Sequence, residues 1–125
     1  MSKVPEEAGY DLTKVIKEMR RFRDSRGWQK FHNPKNLAVS IAVEAAELME
    51  LFQWEDCEES FKKAAEQRQR VKEEIADVVL YVLSLVDVLQ INLEEACLQK
   101  LALNEERYPV TKSYGKALKY TEFQK

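Results

Sequence analysis

Glu73 to Leu89 reads EEIADVVLYVLSLVDVL, and the way its residues alternate decides the fold class. Ile75, Val78, Val79, Val82, Leu83, Val86 and Leu89 recur at helical spacing and form a broad apolar face. Between them Glu74, Asp77, Tyr81 and Ser84 follow one another at i, i+3, i+7 and i+10. At 3.6 residues per turn these four fall within about 80° of one another on the helix surface. A solvated face would be wider and would carry lysines. A narrow stripe headed by two carboxylates on an otherwise apolar helix implies acids held close to a core.

Outward from this helix the chain keeps the same character. It has 125 residues, enough for one domain with a core of its own, and 20 basic residues stand against 22 acidic ones. That balance gives no electrostatic reason to expect nucleic acid as a partner. With three glycines, three prolines and no strand-like alternation, the expected class is all-α: a four-helix, bundle-like protomer. Cys57 and Cys97 are too few for a disulfide framework. The opening MSKVPEEAGY has no apolar segment behind its lysine, so it is not read as a signal peptide. The nearly apolar run Val78 to Val86 is far short of the roughly 18 residues a membrane span needs. No membrane partner and a cytoplasmic location are expected.

Residues 1–10 read as a flexible lead, 11–109 as the helical domain and 110–125 as a tail packing on the domain or on a neighbour. Asp11 is the expected cap of a first helix whose stripe is Leu12, Val15, Ile16, Met19 and Phe22, and Gly27 ends it. The aromatic loop WQKFHNP follows, with Asn33 and Pro34 as cap and first residue of a second helix running to about Phe52. That helix is apolar nearly all round, yet Glu44, Glu47 and Glu50 interrupt it. EDCEES, residues 55–60, reads as a loop, and a third helix from near Ser60 continues into the opening stretch. Asn92 with Glu95 resembles a capping box for a fourth helix, ending at Pro109, on which Lys100, Asn104 and Arg107 form a polar, basic stripe. A four-helix chain cannot cover such a second helix alone, so a homo-oligomer is expected.

Glu44 with Glu47, and Glu74 with Asp77, are acid pairs at i, i+3, which places both carboxylates of a pair on one side of a helix. Antiparallel packing of the two helices brings all four together. Four unneutralised charges in a partly dry site are strongly unfavourable, so cations belong there. Oxygen donors without histidine favour Mg²⁺, with Mn²⁺ as a substitute, over zinc. Acid pairs at this spacing are cheap in an acidic chain: Glu55 with Glu58 and Asp56 with Glu59 have it in what reads as solvated loop. Pairs inside the two most apolar helices are another matter, because buried acids are rarely left unpaired.

Taken together, FHNPKNLA (31–38), EAAELMELFQW (44–54), EEIADVVLYV (73–82), KLALNEERYPV (100–110) and KYTEF (119–123) resemble the MazG-like all-α nucleoside triphosphate pyrophosphatases, and among them the deoxycytidine triphosphate pyrophosphatases. The resemblance runs from about Met19 to Phe123. It implies Mg²⁺-dependent hydrolysis of a nucleoside triphosphate, dCTP first, to the monophosphate and pyrophosphate, as sanitation of the nucleotide pool. It makes Glu44, Glu47, Glu74 and Asp77 metal ligands. Independently of the resemblance, one of the first pair, Glu44 or Glu47, is expected to take the proton of the attacking water. The resemblance also sets Trp28, His32, Trp54 and Tyr81 against the nucleotide, and implies a tetramer of paired dimers. Lys100, Asn104 and Arg107 suit phosphate oxygens. Met19 is a departure, since related chains carry a histidine there. Two other readings share these residues: a non-catalytic helical interaction module, and a superfamily relative acting on dUTP or phosphoribosyl-ATP.

Overall fold

The computed structural model describes residues 9–123, together with no account of the Tyr120 and Phe123 side chains. The expected flexible lead therefore falls, but for Gly9 and Tyr10, outside the described residues. Every regular element among the described residues is helical. The chain divides into two compact units, Met1–Leu89 and Gln90–Lys125.

In the first unit, α1 spans Thr13–Ser25. Asp11 does not occupy the cap position itself, but its Oδ1 accepts the Thr13 N–H at 3.0 Å and so satisfies one of the orphan donors at the helix start. Gly27 lies just beyond the C-terminal end, with φ of 65°, in the left-handed region where a side chain is strained. Trp28–Phe31 form a single 3-10 turn, and α2 spans Pro34–Glu50. Asn33 caps α2 as expected, its side chain accepting the Asn36 N–H at 2.9 Å. Asn36 in turn donates its amide to the Phe31 carbonyl at 3.1 Å, tying the aromatic turn to the helix it precedes.

The segment after α2 differs from the sequence expectation. EDCEES is mostly helix: α3 spans Cys57–Glu66, and Asp56 caps it by accepting the Glu59 N–H at 2.7 Å. An aspartate three residues ahead of a glutamate is a start signal, and here it outweighs the polarity of the run. α4 spans Arg68–Leu89 as a separate helix. The break falls at Gln67, whose φ and ψ of −107° and 30° leave the helical region. No glycine or proline marks it, so the third helix expected from Ser60 is two helices in contact.

α2 packs along α4, and this is the main helix pair of the unit. Leu37, Leu51 and Leu83 are the buried apolar side chains among the described residues, at 2%, 6% and 3% exposure. The rest of the expected apolar face of α4 is only partly covered within the chain. Val78, Val82 and Val86 are half-buried, whereas Ile75, Val79 and Leu89 are exposed. On α2 the same holds of Val39, Val43 and Met49.

In the second unit, α5 spans Leu93–Arg107, α6 Val110–Ser113 and α7 Tyr120–Phe123. Asn92 accepts the Glu95 N–H at 3.0 Å, but the Glu95 carboxylate takes the Gln99 amide instead of returning to the Asn92 backbone. Half of the capping box is formed.

Candidate active site

α2 supplies Glu44 and Glu47, and α4 supplies Glu74 and Asp77. The contact between the two helices brings the carboxylates together. Oxygens of Glu44, Glu74 and Asp77 all lie within 4.8 Å of one another. The half-buried Glu47 carboxylate is not one of that close trio but interacts with both Glu44 and Glu74. Glu44 and Glu74 are half-buried, and one carboxylate oxygen of each is fully covered with no hydrogen-bond partner. Such orphaned acceptors are costly in a folded protein and call for a cation or a proton.

The electrostatics agree. Hydrogen bonding with Glu47, then burial and the repulsion of Glu47, Asp77 and Glu74, push the Glu44 carboxyl up to about 6. Burial raises Glu74 as well, with Glu47 and Asp77 adding repulsion and Arg70 working in the opposite direction. The donors fit a hard divalent metal: carboxylate oxygens from two helices, already crowded and under-neutralised.

Beside the quartet, α1, the 3-10 turn and α4 enclose a cavity of about 720 Å³. Asp77 belongs to both places. It is one of the clustered acids and also lines the cavity with Trp28, His32, Tyr81 and Ser84. Trp28 meets Phe22 edge to face, with ring centroids 5.7 Å apart. Gly27 makes the reversal from α1 that brings this pair together. The Nδ1 atom of His32 is fully covered and has no hydrogen-bond partner, and burial, then the charge of Arg23, keeps the imidazole neutral to lower pH than usual. Ser84, 4% exposed, donates to the Leu80 carbonyl at 2.8 Å and also meets the Met19 sulfur at 3.3 Å. Met19 thus stands on the cavity wall, where related chains are expected to have histidine.

Among the expected site residues of the first unit, one does not gather here. Trp54, in the turn after α2, is 86% exposed and does not line the cavity. Lys100, Asn104 and Arg107 lie on α5, in the second unit. Conversely, Lys14, Glu18, Arg21, Phe22, Arg23 and Leu80 line the cavity without having been singled out from the sequence. Phe22 and Met19 were visible as members of the α1 stripe. The charged residues of that helix carried no distinguishing signal.

Among the described residues the chain is all-helical, with clustered carboxylates beside an aromatic-walled cavity. The MazG-like family profile matches residues 39–123. The chain is 38% identical over 114 residues to dCTP pyrophosphatase 1 of Bos taurus, covering 86% of this chain and 68% of that protein. It is 34% identical over 120 residues to dCTP pyrophosphatase 1 of Homo sapiens, covering 94% and 69% respectively. The crystal structure of a pyrophosphatase from Archaeoglobus fulgidus superposes with a TM-score of 0.76 at 46% identity, over 86% of this chain and 99% of that one. The chain belongs to the MazG-like family.

Proposed function

We propose that this chain, a nucleoside triphosphate pyrophosphatase of the MazG-like family, hydrolyses dCTP in preference to other nucleotides, giving dCMP and pyrophosphate. The observation that carries the reading is the dual position of Asp77, one edge of a carboxylate quartet and one wall of a cavity large enough for a nucleoside. The triphosphate then extends toward the acids while the base enters between Trp28, His32 and Tyr81. The printed names of the mammalian relatives supply the preference for dCTP.

Glu44, Glu47, Glu74 and Asp77 would hold Mg²⁺, with Mn²⁺ an acceptable replacement. A bound divalent ion supplies charge neutralisation for the phosphates and lowers the pKa of a coordinated water. The chain's own residues do the remaining work. Glu44 or Glu47 takes the proton of the water that attacks the α-phosphorus, and pyrophosphate leaves. Trp28 stacks on the base, and His32, which lines the same cavity, meets the base edge, where a wrong base leaves a polar group unpaired.

The exposed apolar residues of α2 and α4 support a homo-oligomer, a tetramer of paired dimers in our reading, and sanitation of the cytoplasmic nucleotide pool as its role. The deciding experiment is pyrophosphate release from dCTP, dTTP, dATP, dGTP, dUTP and phosphoribosyl-ATP, with and without Mg²⁺. Release from dCTP that needs the metal and exceeds the others is the expected result. No release from any of them would sink the reading.

A further inference from the structure

Asp87 lies one turn beyond Ser84 on α4, outside the acid quartet and outside the cavity lining. Its two carboxylate oxygens are divided between two arginines of α1. Oδ1 accepts from Arg20 Nε at 3.1 Å and from Arg20 Nη2 at 2.6 Å, a forked contact, while Oδ2 accepts from Arg23 Nη1 at 3.0 Å. The Asp87 and Arg23 side chains are 18% and 15% exposed, so the second contact is largely shielded from water. Arg23 is further held by Asp24, to which its Nε donates at 2.8 Å.

This network matters because of what α1 lacks. No residue of α1 is fully buried and only Ile16 and Met19 of its apolar residues are half-buried, so its apolar seam against α4 is thinner than that of α2. Yet α1 forms one wall of the cavity, and Arg23 is part of that wall. Exposed ion pairs contribute little as a rule; forked, shielded and networked ones are the exception. We propose that Asp87 is a positioning residue, holding α1 against α4 through Arg20 and Arg23 and so setting the width of the nucleoside cavity. This rests on the reading of that cavity as the substrate's site. Asp87 touches neither substrate nor metal. Without its charge two arginines of one helix are left facing each other, one of them shielded from solvent, and α1 moves outward.

Asp87→Asn keeps the shape and removes the charge, and Asp87→Glu keeps the charge. In the full-length chain with Mg²⁺, Asp87→Asn should raise KM for dCTP about tenfold, the loss of one charge-assisted hydrogen bond, with a smaller change in kcat. Asp87→Glu should recover at least part of that loss. Hydrogen exchange, measured without nucleotide, should show the amides of residues 13–25 exchanging faster in Asp87→Asn while those of α2 and α4 keep their protection. Should Asp87→Asn fail to fold, Arg20→Gln removes only the more exposed contact and should raise KM by about threefold. An unchanged KM, a fall confined to kcat, or a uniform loss of protection over α1, α2 and α4 would overturn the proposal. Because exchange is read without substrate, the two ideas separate. A chain that releases no pyrophosphate defeats the functional reading, and undisturbed exchange in α1 defeats the role of Asp87.

Discussion

α2 and α1 both lie against α4, and they are held there in opposite ways. α2 is joined by apolar contact around Leu37, Leu51 and Leu83, and the polar groups it brings, Glu44 and Glu47, meet only other acids. α1 has no fully buried residue, and the polar groups it brings, Arg20 and Arg23, are matched by Asp87. One side of α4 is well packed and electrostatically frustrated; the other is loosely packed and electrostatically satisfied. On the proposed reading, frustration marks where a cation would bind, and loose packing leaves room for a nucleoside. Stability and function are thus separated around a single helix.

The largest effect should come from the frustrated side. Asp77→Asn and Glu74→Gln are each expected to lower kcat/KM by about 10²–10³-fold, as removal of one pre-organised electrostatic group does. In metal-free buffer the same changes should leave the melting temperature unchanged or higher, since they relieve repulsion. Kinetics and melting curves in EDTA check both. A lower melting temperature for Asp77→Asn would mean that its carboxylate is part of a structural ion pair.

Binding of Mg²⁺ to the folded quartet should come next, about 2.7 kcal/mol of stabilisation at a hundredfold excess over Kd. This gain depends on pH in a direction the two sides of α4 set differently. Glu44 titrates near 6 in the folded chain against a usual 4.5, so its raised affinity for protons favours the metal-free fold below 4.5 and that contribution is lost as pH rises through 6. The metal-induced rise in melting temperature should therefore be small near pH 4.5 and large above 6. His32 acts oppositely. Its neutral form is favoured by the fold, so it costs stability as pH falls through 6.5. Melting curves of His32→Gln with and without Mg²⁺ between pH 4.5 and 7.5 should separate the two effects.

On the cavity side, Trp28→Ala should weaken binding of all nucleotides alike by about 1–3 kcal/mol, the range for one aromatic stacked on a base. His32→Ala should instead narrow the gap between dCTP and its competitors. Comparing kcat/KM for the four deoxynucleotides in both variants checks the division of roles, and a changed ranking in Trp28→Ala alone would reverse it. The smallest effect should be that of Gly27→Ala. A Cβ at this position meets nothing within 4 Å, so the cost is conformational, about 1 kcal/mol for a left-handed residue. Urea denaturation measures it.

Much of this is legible in the sequence itself. The helical class, the caps at Asn33 and Asn92, the turn at Gly27 and the two acid pairs at i, i+3 all follow from residues a few positions apart, because capping and helical periodicity act over one or two turns of chain. The break at Gln67 was not legible. Its backbone leaves the helical region with no local residue to force it, so the division of α3 from α4 belongs to tertiary packing. The pairing of Asp87 with Arg20 and Arg23 was equally hidden, since 67 and 64 residues of chain separate the partners and no periodicity links them. Sequence alone determined which side chains could bind a cation, through charge and spacing on one helix face. Only the tertiary structure decided that Asp77 would stand both among the acids and on the cavity wall, because that depends on which helices flank α4.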